Sequence, residues 1–160
     1  MTQISKSKIG EPKITLTDQP DTAACQVLVR GLSQFNESRV GASNLRQLAI
    51  LVAEPQTDEV VGGLWGGTAY SYLKIEILFL PESLRGQGLG RRLIHQAEAE
   101  AVRRGCTSCW LDTGSFQAPG FYERQGYQVF GRLDDYPPGH NLFFLRKTLQ
   151  TSPDPDHRDN

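Results

Sequence analysis

Arg85-Gly86-Gln87-Gly88-Leu89-Gly90 is the segment of this 160-residue chain whose residue types and spacing point most directly to chemistry. Glycine at every second position leaves a turn without side chains, so successive backbone N–H groups can converge on an anion where a helix begins. The apolar run Ile75-Glu76-Ile77-Leu78-Phe79-Leu80 precedes it and an amphipathic stretch follows. A strand, a glycine turn and a helix in that order predict a phosphate cradle. It is neither of two common ones. A dinucleotide G-x-G-x-x-G turn would need glycine at Arg91, and a nucleotide P-loop would need Gly-Lys-Ser/Thr after a four-residue gap.

A second segment lies about thirty residues on. In Ala118-Pro119-Gly120-Phe121-Tyr122-Glu123-Arg124-Gln125-Gly126-Tyr127, proline stands where a first helical turn tolerates it and Gly126 where a left-handed cap is wanted. This predicts one short helix and then a strand. Glu76 stands alone among apolar neighbours, where desolvation would raise a carboxyl's proton affinity toward that of a useful base. The alternative is a structural carboxylate tied to Lys, Arg or backbone donors.

Together the two segments resemble the GNAT superfamily of acyl-CoA N-acyltransferases. Arg85, Gly88 and Gly90 fit its R/Q-x-x-G-x-G/A signature, and Ala118, Tyr122, Gly126 and Tyr127 fit N-x-x-A-x-x-x-Y-x-x-x-G-F/Y, with Ser115 where Asn is usual. The resemblance implies that Arg85, Gly86, Gln87, Gly88, Leu89, Gly90 and Arg91 grip the pyrophosphate of coenzyme A. It implies that Leu78, Phe79 and Leu80 offer a strand edge to the pantetheine arm, and that Ser115 and Tyr122 also contact the cofactor. Glu76 matches the family's base, direct or through water, and Tyr122 the acid that protonates the departing thiolate. Phe121 fits a core aromatic better.

Acetyl transfer from acetyl-CoA to an amine requires alignment of thioester and amine, removal of the ammonium proton and stabilisation of the thiolate. No nucleophilic triad is needed, and no G-x-S-x-G is present. The implied activity is N-acetyl transfer to a primary amine on a small molecule, by direct attack in a ternary complex. A protein lysine or N-terminal acetyltransferase and a catalytically silent acyl-CoA sensor are the alternatives. On the acceptor side, Trp65, Tyr70, Tyr72, Asp134, Asp135, Tyr136 and His140 fall on a hairpin and loop that border the acceptor cleft in this fold. Aromatic and acidic residues suit a cationic amine. Asp134 and Asp135 also read as plain loop residues, and His140 as an ordinary surface or core histidine.

Composition narrows the field further. Seventeen Lys and Arg against eighteen Asp and Glu give a formal charge of −1, so nothing draws the chain generally to nucleic acid or to anionic membrane. Between positions 85 and 104 the balance is locally basic, with Arg85, Arg91, Arg92, Arg103 and Arg104 against Glu98 and Glu100. That surplus suits a phosphorylated ligand at the helix start, whereas Arg103 and Arg104 read as a solvated face. No apolar run approaches the about eighteen residues of a membrane span, and the start lacks a signal peptide's apolar core, so the expected location is cytoplasmic. Three cysteines, Cys25, Cys106 and Cys109, predict free thiols. Cys106 and Cys109 form a C-x-x-C with no second Cys/His pair, so no metal is expected.

The predicted organisation is a flexible segment at 1–12, a GNAT domain at 13–149 and a disordered tail at 150–160. Ile14–Thr17 reads as a first strand, and Asp21 or Thr22 caps a helix bearing Ala24, Val27, Leu28 and Leu32 on one face. Leu45–Glu54 and Val60–Tyr70 read as a hairpin, with a bulge or close backbone approach near Trp65. Lys74–Leu80 is a central strand covered on both faces, and Leu89–Arg104 a helix whose core stripe is Leu89, Leu93, Ile94, Ala97 and Ala101. Cys109–Thr113, the Tyr122 helix, Tyr127–Arg132 and Asn141–Leu149 complete the set. The order indicates an α/β (α+β) domain. The resemblance sharpens this to the GNAT fold, a mixed, strongly twisted sheet of about six to seven strands flanked by about four helices, with the fourth and fifth strands splayed apart. It also allows a homodimer.

Overall fold

The structure is a computed structural model that describes residues 11–149. The expected tail at 150–160 and all but two residues of the expected N-terminal segment lie outside the described residues. The chain divides into a unit of residues 1–41 and a unit of residues 42–160. The first contains one described helix, α1 (Thr22–Val40), whose N-terminus is capped by Asp21 accepting from the Ala23 N–H. Ile14–Thr17 takes no strand structure.

The second unit holds β1 (Arg46–Ala53), β2 (Val60–Ala69), β3 (Tyr72–Phe79), α2 (Leu89–Arg103), β4 (Ser108–Gly114), α3 (Pro119–Arg124), β5 (Gln128–Leu133) and β6 (Leu142–Thr148). The six strands form one sheet in the order β1-β2-β3-β4-β6-β5. Every pairing is antiparallel except β3 with β4. That parallel step needs a crossover, which α2 supplies.

α2 forms because Leu93, Ile94, Ala97 and Ala101 recur at helical spacing, and all four are buried. Leu64, Leu73, Leu111 and Leu145 meet them in the core. Each such side chain stabilises the fold by roughly 1.5–3 kcal/mol relative to exposure. The helix ends at Arg104, followed by Gly105 in the left-handed region at φ 83°.

Two departures from regularity position the site. β2 carries the bulge expected near Trp65, because its register on β3 shifts between Trp65 and Gly66. A Cβ on Gly66 would collide with the Lys74 carbonyl oxygen, so that approach requires glycine. More consequentially, β3 pairs with β4 only from Tyr72↔Ser108 to Ile75↔Leu111. From Glu76 onward β3 keeps β2 on one side, while β4 continues along β6 to Gly114. The two parallel strands therefore fork. This corrects the reading of a central strand covered on both faces, since Ile77 and Phe79 are 51% and 53% exposed.

Arg104 departs from the solvated face expected of it. Its Nε bonds Glu100 Oε1 at 2.7 Å, and one Nη reaches the carbonyls of Arg46 at 3.3 Å and Gln47 at 3.1 Å and Thr68 Oγ1 at 3.3 Å. The end of α2 is thereby tied to β1 and β2. Arg104 and Arg103 hold the Glu100 carboxyl below its usual range through these hydrogen bonds. Arg104→Ala should destabilise the fold by about 1–3 kcal/mol, because partners on the sheet lose a charged donor. A shift in the urea midpoint with an unchanged slope would measure it.

Candidate active site

The fork opens a cleft of about 990 Å³. One wall is β3 from Ile75 to Phe79 with Leu80 after it, and the other is Leu111, Asp112 and Thr113 of β4. The turn residues Arg85, Gly86 and Gly88 and the start of α2, Leu89, Gly90 and Arg91, close one end. Phe121, Tyr122 and Arg124 of α3 lie across it.

The turn has the geometry of an anion site. Gly86 and Gly88 both take positive φ, 74° and 76°, and Gly88 is the N-cap of α2. The first intrahelical bond runs from Arg92 N–H to Gly88 C=O at 3.1 Å, so the amides of Leu89, Gly90 and Arg91 have no intrahelical acceptor. Their N–H groups and the helix dipole favour negative charge. Arg85 is fixed there because its Nε donates to the Leu80 carbonyl at 2.8 Å. Gln87 donates instead to the Ser83 carbonyl at 3.1 Å and does not line the cleft. Gly90 is close against Phe121, where a Cβ would sit 3.3 Å from the ring.

Tyr122 is 9% exposed, with its ring edge-on to Phe121 at 5.0 Å and to Tyr127 at 6.0 Å. Burial, aided by the charge of Asp112 and by Cys109, pushes its phenol up to about 12. It is therefore a protonated donor throughout the neutral range.

Glu76 faces the cleft from β3, just past the last β3–β4 pair. Its expected desolvation is absent: the side chain is 41% exposed and ion-paired to Lys74 Nζ at 2.8 Å. Spacing of two on a strand puts both residues on one face. That face carries a second, smaller groove lined by Gln47, Trp65, Tyr70, Tyr72, Lys74 and Trp110, which Glu76 also borders. Trp65 is oriented by its indole N–H donating to Gln47 Oε1 at 3.1 Å, and Lys74 Nζ lies 4.8 Å from the Trp110 ring centre.

The remaining predicted site residues stand elsewhere. Ser115 does not line the cleft: its hydroxyl accepts from Asn141 N–H at 3.1 Å and lies 3.5 Å from His140 Nδ1. Asp134 pairs with Arg132 at 2.7 Å, Asp135 accepts from Gly139 N–H at 2.6 Å, and the Tyr136 N–H donates to the His140 carbonyl. Asp134, Tyr136 and His140 line neither cavity. Sequence reasoning missed Asp112, Lys74, Gln47 and Trp110. Asp112, the lone acid in an apolar strand, carried the same signal as Glu76. Among the described residues no group of three or more His, Cys, Asp or Glu could hold a metal, and no helix is long and apolar enough to cross a membrane.

The profile of the Acetyltransferase (GNAT) family matches residues 13–127, and the chain belongs to that family. An acetyltransferase of Agrobacterium fabrum is 36% identical over 132 residues, covering 82% of this chain and 96% of that protein. Blasticidin-S acetyltransferase of Streptomyces morookaense is 37% identical over 130 residues, covering 74% and 96%. Among solved structures, an acetyltransferase from Agrobacterium tumefaciens superposes with TM-score 0.82 at 35% identity, covering 86% of this chain and 99% of its own. The protein is accordingly an acetyltransferase with acetyl-CoA as its cosubstrate.

The cleft fits such a cosubstrate on its own terms, with free amides and arginines at one end and an unpaired strand edge along one wall. Gly88→Glu would force a side chain into the left-handed region and set a carboxylate where an anion is favoured. Calorimetric titration with acetyl-CoA should register no binding to that variant.

Proposed function

We propose that residues 13–149 form an N-acetyltransferase domain that moves the acetyl group of acetyl-CoA to the primary amine of a small molecule by direct attack. The observation that carries this reading is the fork itself, which gathers an anion-binding helix start, an unpaired strand edge, a carboxylate and a protonated phenol around one cleft.

Acetyl-CoA supplies the activated acyl group. Gly86, Gly88 and the amides of Leu89, Gly90 and Arg91 bind its diphosphate, with Arg85 and Arg91 adding charge, and Leu78, Phe79 and Leu80 offer backbone to the pantetheine arm. Glu76 takes the proton of the acceptor ammonium. Tyr122 protonates the departing thiolate, which its raised proton affinity suits because the phenol stays loaded at neutral pH. Asp112, across the fork from Glu76, adds negative charge that favours a cationic acceptor.

The groove of Trp65, Tyr70, Tyr72 and Trp110 beside Glu76 is the proposed acceptor site. Flat aromatic walls and one carboxylate suit a small amine. Blasticidin-S acetyltransferase names a small-molecule substrate for a relative at 37% identity, which supports the same acceptor class here. Ser115, Asp134, Tyr136 and His140 are assigned to shaping the β5–β6 loop rather than to direct contact.

Release of CoA thiol with a panel of polyamines, aminoglycosides, amino acids and peptides tests this assignment. Stimulation by small amines above peptides is the expected result, and tight acetyl-CoA binding with no amine-stimulated release would point to a sensor. Glu76→Gln and Tyr122→Phe should each lower kcat by about 10²–10⁴ with the fold intact by circular dichroism. The ratio of wild-type to Tyr122→Phe rates should stay constant between about pH 7 and pH 10, because a phenol held at about 12 does not titrate there.

A further inference from the structure

The geometry points to Lys74 as a self-acetylation site: without an external amine, its ε-amino group takes the acetyl group from acetyl-CoA in the cleft. The inference rests on the acetyltransferase reading above and goes beyond it.

Lys74 is a primary amine in the proposed acceptor groove, beside the proposed base. Its Nζ lies 2.8 Å from Glu76 Oε2, the proposed base, and 4.8 Å from the centre of the Trp110 ring. Two residues of strand span about 7 Å, within the reach of a lysine side chain, so the ammonium can follow Glu76 to the start of the fork. Glu76 is the first β3 residue beyond the last β3–β4 pair, and it borders both the cleft and the aromatic groove. The side chain of Lys74 is 36% exposed, so it has room to move. Lys147, by contrast, is held by both oxygens of Glu98 at 2.7 and 2.9 Å.

Glu76 removes one proton from the Lys74 ammonium, and the freed lone pair attacks the thioester carbonyl carbon. The N–C bond forms, the C–S bond breaks, and the departing thiolate takes the Tyr122 proton. A second nitrogen proton, lost as the tetrahedral centre collapses, restores the phenol, and Glu76 returns its own proton to water. The products are N-acetyl-lysine, CoA thiol and one proton. The modified side chain carries no charge, so it releases Glu76 and no longer competes there with an incoming ammonium.

The test incubates the full chain with acetyl-CoA and no acceptor amine and follows intact mass. One acetyl increment is expected, assigned to Lys74 by peptide mapping, absent at that site in Lys74→Arg, and slowed about tenfold or more in Glu76→Gln and Tyr122→Phe. Acetylation spread over Lys13 and other lysines and indifferent to both variants is solution chemistry and overturns the inference. So does an unmodified Lys74 in protein that binds acetyl-CoA and releases thiol with external amines, a result that leaves the proposed function standing. Failure to bind acetyl-CoA at all would remove both.

Discussion

The parting of β3 from β4 after Ile75 and Leu111 is the constraint on which the rest of the molecule depends. Neither strand is free to close the gap. β3 is held along its length by β2 as far as Phe79, and β4 is held by β6 as far as Gly114. Backbone groups left without a ladder partner in a partly buried cleft need another donor or acceptor. An extended ligand with amides of its own can supply one, which is the logic of strand addition to a sheet edge. The same divergence gives α2 its starting point, since the turn after β3 enters the helix at the open end of the gap.

Charge is distributed unevenly around that opening. The helix start brings unbonded amides, Arg85 and Arg91, all favouring an anion, whereas the fork brings Glu76 and Asp112 from neighbouring strands. A ligand with a diphosphate at one end and a reacting group meeting a cation at the other matches this polarity. Tyr122 lines the same cleft, its ring fixed by edge contacts to Phe121 and Tyr127. Tyr127 is fixed in turn, for its hydroxyl donates to Glu98 Oε1 at 2.9 Å, and Glu98 is held by Lys147. A buried polar group satisfied in this way specifies one arrangement of α2, β4, β6 and the end of α3.

Much of this was legible in the sequence where local chemistry decides. Alternate glycines marked the anion-binding turn, which Gly86 and Gly88 make at positive φ, the apolar stripe of α2 ran at helical spacing, and Pro119 and Gly126 bracketed α3 as their backbone preferences require. What escaped depended on long-range pairing. The environment of Glu76 was misread because an apolar sequence context does not reveal that a strand loses its neighbour halfway along. Lys74 had the right spacing to neutralise it, yet only the fork explains why the pair faces an opening. Ser115 was drawn away from the cleft by Asn141, a contact across 26 positions of chain. Arg104 reads as a surface residue in sequence because its acceptors lie on β1 and β2. The groove wall formed by Trp110 and Gln47 comes from two strands that are not adjacent in the sheet.

The two cysteines of the sheet unit have a bearing on how many covalent steps the reaction takes. Cys106 is 1% exposed and Cys109 fully buried, and burial pushes the Cys109 thiol up to about 12 and raises that of Cys106 as well. Sulfur is nucleophilic as thiolate, and these two are kept as thiols and shut away from solvent. An acyl group arriving as a thioester thus finds no second sulfur in that unit on which to rest. That accords with the direct attack proposed above, in which the acyl group never rests on the protein.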